Sequence, residues 1–376
     1  MMNIQMVDLK GQYSKIKPEI DKAIIDVIES TAFINGPEVK AFQSELQDYL
    51  KVKHVIPCAN GTDALQIALM ALGLKPGDEV ITSNFTFAAT VEVIGLLQLT
   101  PVLVDVDADT FCMDVEKLKK SITPQTKAIV PVHLFGQCAN MEEIMKVAKE
   151  HHLFVVEDNA QAIGAEYTFS NGETKKAGTI GHIGTTSFFP SKNLGCYGDG
   201  GAIFTNDDNL ASICHSIVNH GMGERYYYER LGVNSRLDSI QATILRIKLR
   251  ELENYSAARN RAAAYYDKAF ADVQQIKTPV RNPKSTHVFH QYTCVGCGVD
   301  HFALQKYLGE KGIPCMIYYP VPLHTQEAYK TPQMKDEDFE VTNELCKSVF
   351  SLPMHTELTE EQLKYITDSV KEFINK

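Results

Sequence analysis

Apolar positions fall into two regimes along the chain. Through the first two-thirds, short apolar runs at 80–82, 102–104, 128–132, 154–156, 185–189 and 202–205 alternate with stretches of helical spacing. Leu65, Leu69 and Leu72 form one such stretch, and the segment 141–151 forms another. The runs show no polar alternation, so each predicts a strand covered on both faces, and the intervening helices predict parallel crossovers. The expected fold class is α/β, a mostly parallel sheet flanked by helices. In such sheets polar chemistry collects beyond the carboxyl ends of the strands.

From Leu237 the period changes. Leu237, Ile240, Ile244 and Ile247 form one row at helical spacing, and Leu245, Leu249 and Leu252 form a second. The stripe continues through 257–270 and predicts one long helix leading out of the first domain. Beyond it lie the segments 291–296 and 313–319, a helix near 302–311, and a terminal helix opened by Thr359-Glu360-Glu361. A chain of 376 residues suits two unequal cores. The expected division is a large domain over 1–250 and a smaller α+β domain over 251–376.

Composition removes several functions rather than suggesting one. Hydrophobic residues make up 44% and charged residues 22%, ordinary for a globular chain. A net charge of −10 argues against a nucleic-acid partner, though it leaves room for a local basic pocket. Residues 1–10 include Asn3, Gln5, Asp8 and Lys10 and lack an apolar core, so no signal peptide is expected. The greasy segment 91–104 is broken by Glu92, Gln98 and Pro101, which predicts a buried element and no membrane span. Nine cysteines, an odd number, read as reduced thiols in a cytoplasmic protein. Cys294 and Cys297 form a lone C-x-x-C without a second ligand pair, so no metal is expected.

Four stretches at predicted strand ends carry chemistry. In Cys58-Ala59-Asn60-Gly61-Thr62-Asp63, a strand runs into Gly61 and a helix starts at once. Glycine permits close approach, Thr62 is a candidate cap, and the free N–H groups of a helix start suit a phosphate. In Glu157-Asp158-Asn159-Ala160-Gln161, a carboxylate at the end of a buried strand needs a cation, and a pyridinium nitrogen is one. The plainer alternative is an Asp158 that caps the next helix. In Ser187-Phe188-Phe189-Pro190-Ser191-Lys192, a lysine precedes a glycine-rich loop; a loop lysine is usually just solvated, but the apolar Phe188, Phe189 and Leu194 favour the partly desolvated amine that Schiff-base chemistry needs. In Ser83-Asn84-Phe85-Thr86-Phe87, an aromatic is placed to stack on a flat cofactor, although core packing is the commoner use. No G-x-x-x-x-G-K-[ST] or strand-linked G-x-G-x-x-G occurs, so nucleoside-triphosphate and dinucleotide readings lose their support.

In this order the residues resemble the DegT/DnrJ/EryC1 family of pyridoxal-phosphate-dependent sugar aminotransferases, of aspartate-aminotransferase fold type I. The resemblance spans nearly the whole chain. It also takes in Gly232-Val233-Asn234-Ser235-Arg236-Leu237-Asp238 and Tyr318-Tyr319-Pro320-Val321-Pro322-Leu323-His324. It implies that Lys192 bears pyridoxal 5'-phosphate as a Schiff base and moves the substrate proton. Asp158 then partners the pyridinium, Gln161 the ring hydroxyl and Phe87 the ring face. Gly61, Thr62 and Ser187 hold the phosphate, and Asn234 reaches that of a neighbouring subunit, so a homodimer with shared sites is implied. Arg236, Tyr319 and His324 are candidate substrate contacts, and Arg236 alternatively pairs with Asp238. His133 is read as structural.

The implied reaction takes an amino group from glutamate, through the PMP form, to a nucleotide-linked keto sugar. The stretches 58–67, 187–208 and 232–238 are similar to members acting at C3 of a UDP-2-acetamido-3-keto-hexuronic acid. The alternatives are C3 or C4 amination of a dTDP- or UDP-keto-6-deoxyhexose, or a non-catalytic regulator of the same fold.

Overall fold

Seven strands form the central sheet of the computed structural model, which describes residues 4–376. From edge to edge they are His54–Cys58, Gly201–Thr205, Ile183–Ser187, Phe154–Asp158, Thr126–Val130, Glu79–Ser83 and Thr100–Val104. All point the same way except Gly201–Thr205, which runs antiparallel to both neighbours. Each apolar run of the sequence lies in or against one of these strands. The lack of polar alternation has a direct cause. Ile81 and Val155 face one core while their chain neighbours Val80 and Val156 face another, and all four are buried.

The run at 185–189 ends earlier than its hydrophobicity suggests. Pairing stops at Ser187; Phe188 is buried, and Phe189 turns out to 52% exposure. The segment 91–104 is two elements, the helix Ala89–Leu96 and the strand Thr100–Val104. Among the described residues no helix is long and apolar enough to cross a membrane.

The single long helix expected after Leu237 is instead a pair, Ser239–Arg250 and Leu252–Phe270. At Glu251 the backbone N–H bonds to Lys248 O, three residues back, at 3.1 Å, and this tight turn breaks the axis. The first helix buries Leu245 and Leu249 with Phe42 and Leu46 of the helix Pro37–Leu50. The second turns Ala262, Tyr266 and Phe270 onto the antiparallel sheet Ile276–Lys277, Tyr292–Gly296 and Val349–Leu352. Apolar periodicity continues across the break because both halves are buried, against different cores.

That second core also takes in helices His301–Glu310 and Glu360–Ile374, the latter capped by Thr359 in a reciprocal box with Gln362. The segment 313–319 forms no strand; Met316 bridges Ser351 and the chain passes on toward the large sheet. Buried Arg259 donates to the carbonyls of Phe289 and Met354, each at 2.9 Å, fixing the chain that crosses between the cores.

Candidate active site

Three strand ends and one helix start converge at the carboxyl edge of the sheet. Gly61 and Thr62 open the helix Gly61–Ala71, and as its first residues they have no intrahelical acceptor for their N–H groups. The cap is Asn60, not Thr62. Asn60 is fully extended, and its side chain accepts from Asp63 N at 2.8 Å, a place that Thr62, already inside the helix, cannot take. A Cβ on Gly61 would lie 2.6 Å from Cβ of Ser187, and one on Gly201 would lie 2.9 Å from Gly61 N. Two glycines therefore let the helix start press against the Ser187 strand end. The result is an anion cup of N–H groups and a hydroxyl.

Asp158 ends its strand 5% exposed. Its carboxylate accepts from Thr90 Oγ1 at 2.8 Å and from Ala160 N at 3.1 Å. Two bonds leave acceptor capacity on an otherwise dry carboxylate, and a cationic N–H would complete it. Gln161 accepts from Phe135 N at 2.8 Å, which fixes its amide; its Nε2 then donates to Tyr319 Oη at 3.2 Å. Burial pushes the Tyr319 hydroxyl's pKa up, so it stays protonated.

The neighbouring Glu157 points the other way and is fully buried. It accepts from the N–H groups of Gly178 (2.9 Å), Ile180 (2.6 Å) and Gly181 (2.5 Å), and from His133 Nε2 at 2.8 Å. Since His133 Nδ1 accepts from Ala139 N at 3.1 Å, the proton belongs on Nε2. His133 N also donates to Asp158 O at 3.0 Å. His133 is a brace beneath the site, as its strand-end position suggests.

Lys192 stands on a tight loop. Its N–H bonds to Phe189 O at 2.8 Å, and Cys196 N bonds to Phe188 O at 2.8 Å, closing the neck. Asn193 Nδ2 ties the loop to Val288 O at 2.9 Å. The Lys192 ammonium has no hydrogen-bond acceptor among the described residues. Some of its side chain remains reachable by solvent, but dense surroundings push its pKa down to about 8, against the opposing pull of the Asp158 charge. His290 is buried with Nδ1 unpaired among the described residues; burial, then the nearby Lys192 charge, push its pKa well down, so the ring is neutral.

The remaining candidates separate clearly. Phe87 is 59% exposed with no ring against it among the described residues, whereas Phe85 packs edge-on to Tyr319 at 5.8 Å in the core. Asn234 is exposed. Arg236 is half-buried and makes no ion pair with Asp238 or any other acid among the described residues. The loop that carries both is pinned by Ser235, whose hydroxyl accepts from Ala59 N at 3.0 Å, beside the cup. His324 is 4% exposed with both nitrogens taken, Nδ1 by Asn84 (2.8 Å) and Nε2 by Asp336 (2.7 Å). It has no free nitrogen to offer a substrate.

Nothing in the sequence singles out His290 or Asn84 for these places. Nor does the sequence single out Thr90, which lies in the first turn of the helix Ala89–Leu96.

Fold and site together define an α/β enzyme scaffold with a lysine, a carboxylate and an anion cup at its strand ends, and the chain belongs to the DegT/DnrJ/EryC1/StrS aminotransferase family, matched over residues 14–371. It is 45% identical over 374 residues to a pleiotropic regulatory protein of Geobacillus stearothermophilus, covering 99% of each chain. It is 44% identical over 363 residues to the UDP-2-acetamido-2-deoxy-3-oxo-D-glucuronate aminotransferase of Pseudomonas aeruginosa, covering 96% of this chain and 98% of that one. NtdA from Bacillus subtilis, solved with the cofactor PMP bound, shares the fold with a TM-score of 0.87 and 31% identity, over 96% of this chain and 82% of that one.

Proposed function

We propose that this chain uses pyridoxal phosphate to move an amino group from glutamate to a nucleotide-linked keto sugar. The reading favours C3 of a UDP-2-acetamido-3-keto-hexuronic acid. One observation carries the cofactor chemistry: Lys192, whose amine has no acceptor among the described residues, lies within electrostatic reach of the under-bonded buried carboxylate of Asp158, while the substrate class is taken from the Pseudomonas relative.

The residues fit the cofactor. Asp158 would hold its ring nitrogen, Gln161 its ring hydroxyl and Phe87 its open face, while Gly61, Thr62 and Ser187 would take its phosphate. Bound there, pyridoxal phosphate supplies an electron sink and a carbonyl that passes an amino group from donor to acceptor. Lys192 would hold the cofactor covalently and, with its amine released, take the proton from the donor's α carbon and return one to the sugar carbon. Arg236, half-buried without an internal partner, is suited to a substrate carboxylate in bidentate fashion. Tyr319, held by Gln161, is the second proposed substrate contact.

Exposed Asn234 is assigned to the phosphate of a second subunit, which makes the working unit a homodimer. The same reading takes 1–250 as the cofactor-binding domain and 251–376 as the small domain. The name of the Geobacillus relative raises a regulatory reading. The intact amine, carboxylate and cup favour turnover.

The test is a screen of UDP- and dTDP-keto sugars with glutamate, with products assigned by NMR. Amination at C3 of the hexuronic acid is the expected result, and Lys192→Ala should abolish it. Normal turnover by that variant would overturn the proposal.

A further inference from the structure

Lys248 is 1% exposed, an expensive place for an ammonium. It sits in the helix Ser239–Arg250, behind the loop that carries Lys192. Its Nζ donates to Gly195 O at 2.5 Å and stands 5.3 Å from the ring centroid of Tyr197. No other acceptor for it occurs among the described residues. Burial pushes its pKa down to about 8; the Cys196 thiol opposes this and Arg259 adds to it. A methionine would fill the same volume without desolvating a charge. The ammonium satisfies the buried Gly195 carbonyl, which has no other donor among the described residues, but does so with a desolvated charge.

A Cβ on Gly195 would lie 2.8 Å from Phe189 O, so Gly195 and Phe189 are the two sides of the neck that closes the loop. Phe189 O is also the acceptor for Lys192 N. On its far side the loop is tied by Asn193 to Val288 O. The carbonyl that Lys248 grips is therefore a fixed point on the near side of the loop. Gly195 lies three residues from Lys192 within the same neck, so loosening it frees the loop on that side.

We propose that Lys248 is a positioning residue: by clamping the Gly195 carbonyl it sets where the loop presents the Lys192 amine. This rests on the reading of Lys192 as the cofactor-bearing lysine.

The test compares Lys248→Met and Lys248→Arg with the native protein. In cofactor-free protein, hydrogen exchange of amides 191–196 and site-resolved labelling of Lys192 by an amine-reactive reagent are followed. In loaded protein, cofactor affinity, kcat and KM are measured. Lys248→Met should exchange roughly tenfold faster at 191–196 and label differently at Lys192, having lost one charge-assisted hydrogen bond. Its kcat should fall with KM held, while the unfolding midpoint moves little, because removal of a buried charge offsets the orphaned Gly195 carbonyl. Lys248→Arg, keeping charge and donor, should recover most of the exchange protection. Native exchange and labelling in folded Lys248→Met would overturn the proposal. So would loss of the fold in both variants, since the lysine would then hold the domain and not the loop. If native Lys192 never takes pyridoxal phosphate, the function above fails, while the exchange data still decide the clamp.

Discussion

The Thr90 hydroxyl donates to Oδ2 of Asp158 at 2.8 Å, and among the described residues this is the only side-chain hydrogen bond that aims the carboxylate. Thr90 lies near the start of the helix Ala89–Leu96, so the aim of Asp158 depends on how that helix seats against the sheet. Thr90→Val keeps the shape and removes the donor. A charge-assisted bond contributes about 1.5–3 kcal/mol, so affinity for pyridoxal phosphate should fall roughly ten- to hundredfold. Titration of the cofactor-free protein checks this, and an unchanged Kd would separate Thr90 from the site.

The cup makes a prediction that separates phosphate from ring. Ser187→Ala should weaken pyridoxal phosphate binding by about 1–2 kcal/mol and leave unphosphorylated pyridoxal unaffected. Gly61→Ala should do more, because its Cβ would lie 2.6 Å from that of Ser187 and 3.2 Å from the Ser187 backbone. Strain of about 1–3 kcal/mol should appear in the unfolding midpoint alongside the lost phosphate preference.

In the role proposed for Lys192 the neutral amine is the attacking form, and burial pushes its pKa down to about 8. Cofactor capture should therefore rise with pH through about 8 and level off above it, as stopped-flow absorbance would show. Asp158 works against the depression, so Asp158→Asn should move this midpoint below 8 even as it weakens the hold on the ring nitrogen. A midpoint that stayed in place would remove Asp158 from the lysine's surroundings.

Linkage gives a stability test for the second buried lysine. Between about 8 and its ordinary 10.5, Lys248 is largely neutral in the native state and protonated when unfolded. The unfolded chain thus binds more protons, and this group's contribution to stability rises with pH across that window. Buried thiols with raised pKa values pull the other way, so the comparison must be differential. The stability of Lys248→Met relative to the native protein should be highest below pH 8 and fall toward pH 10.5, read from denaturant midpoints.

The proposed homodimer, with Asn234 serving the neighbouring subunit, predicts complementation. Lys192→Ala and Asn234→Ala homodimers should each be impaired; a statistical mixture should regain about a quarter of native activity, because half the dimers carry one intact site. No recovery on mixing would confine Asn234 to its own subunit.

Much of the site is legible in the order of residues along the chain. Unbroken apolar runs mark strands buried on both faces, and the residues at their ends, Asp158, Ser187 and the loop of Lys192, sit where parallel sheets collect their chemistry. Period and local punctuation are properties of short stretches, so the helix start at Gly61 shows in the sequence. Which neighbour caps it does not, because Asn60 and Thr62 are both capping types and only the backbone conformation at 60 separates them.

Contacts between distant stretches are invisible to such patterns. The bend at Glu251 hides because both halves of the stripe are apolar, and only packing decides which core each half faces. His324 resembles a free ligand until Asn84 and Asp336, 240 and 12 positions away, take up both its nitrogens. Thr90 reaches Asp158 across 68 residues, and Lys248 reaches Gly195 across 53. Sequence alone determined which residues were available at the strand ends. Tertiary packing decided which of them kept a free valence, because burial removes water as the alternative partner and leaves each polar atom only what the fold brings to it.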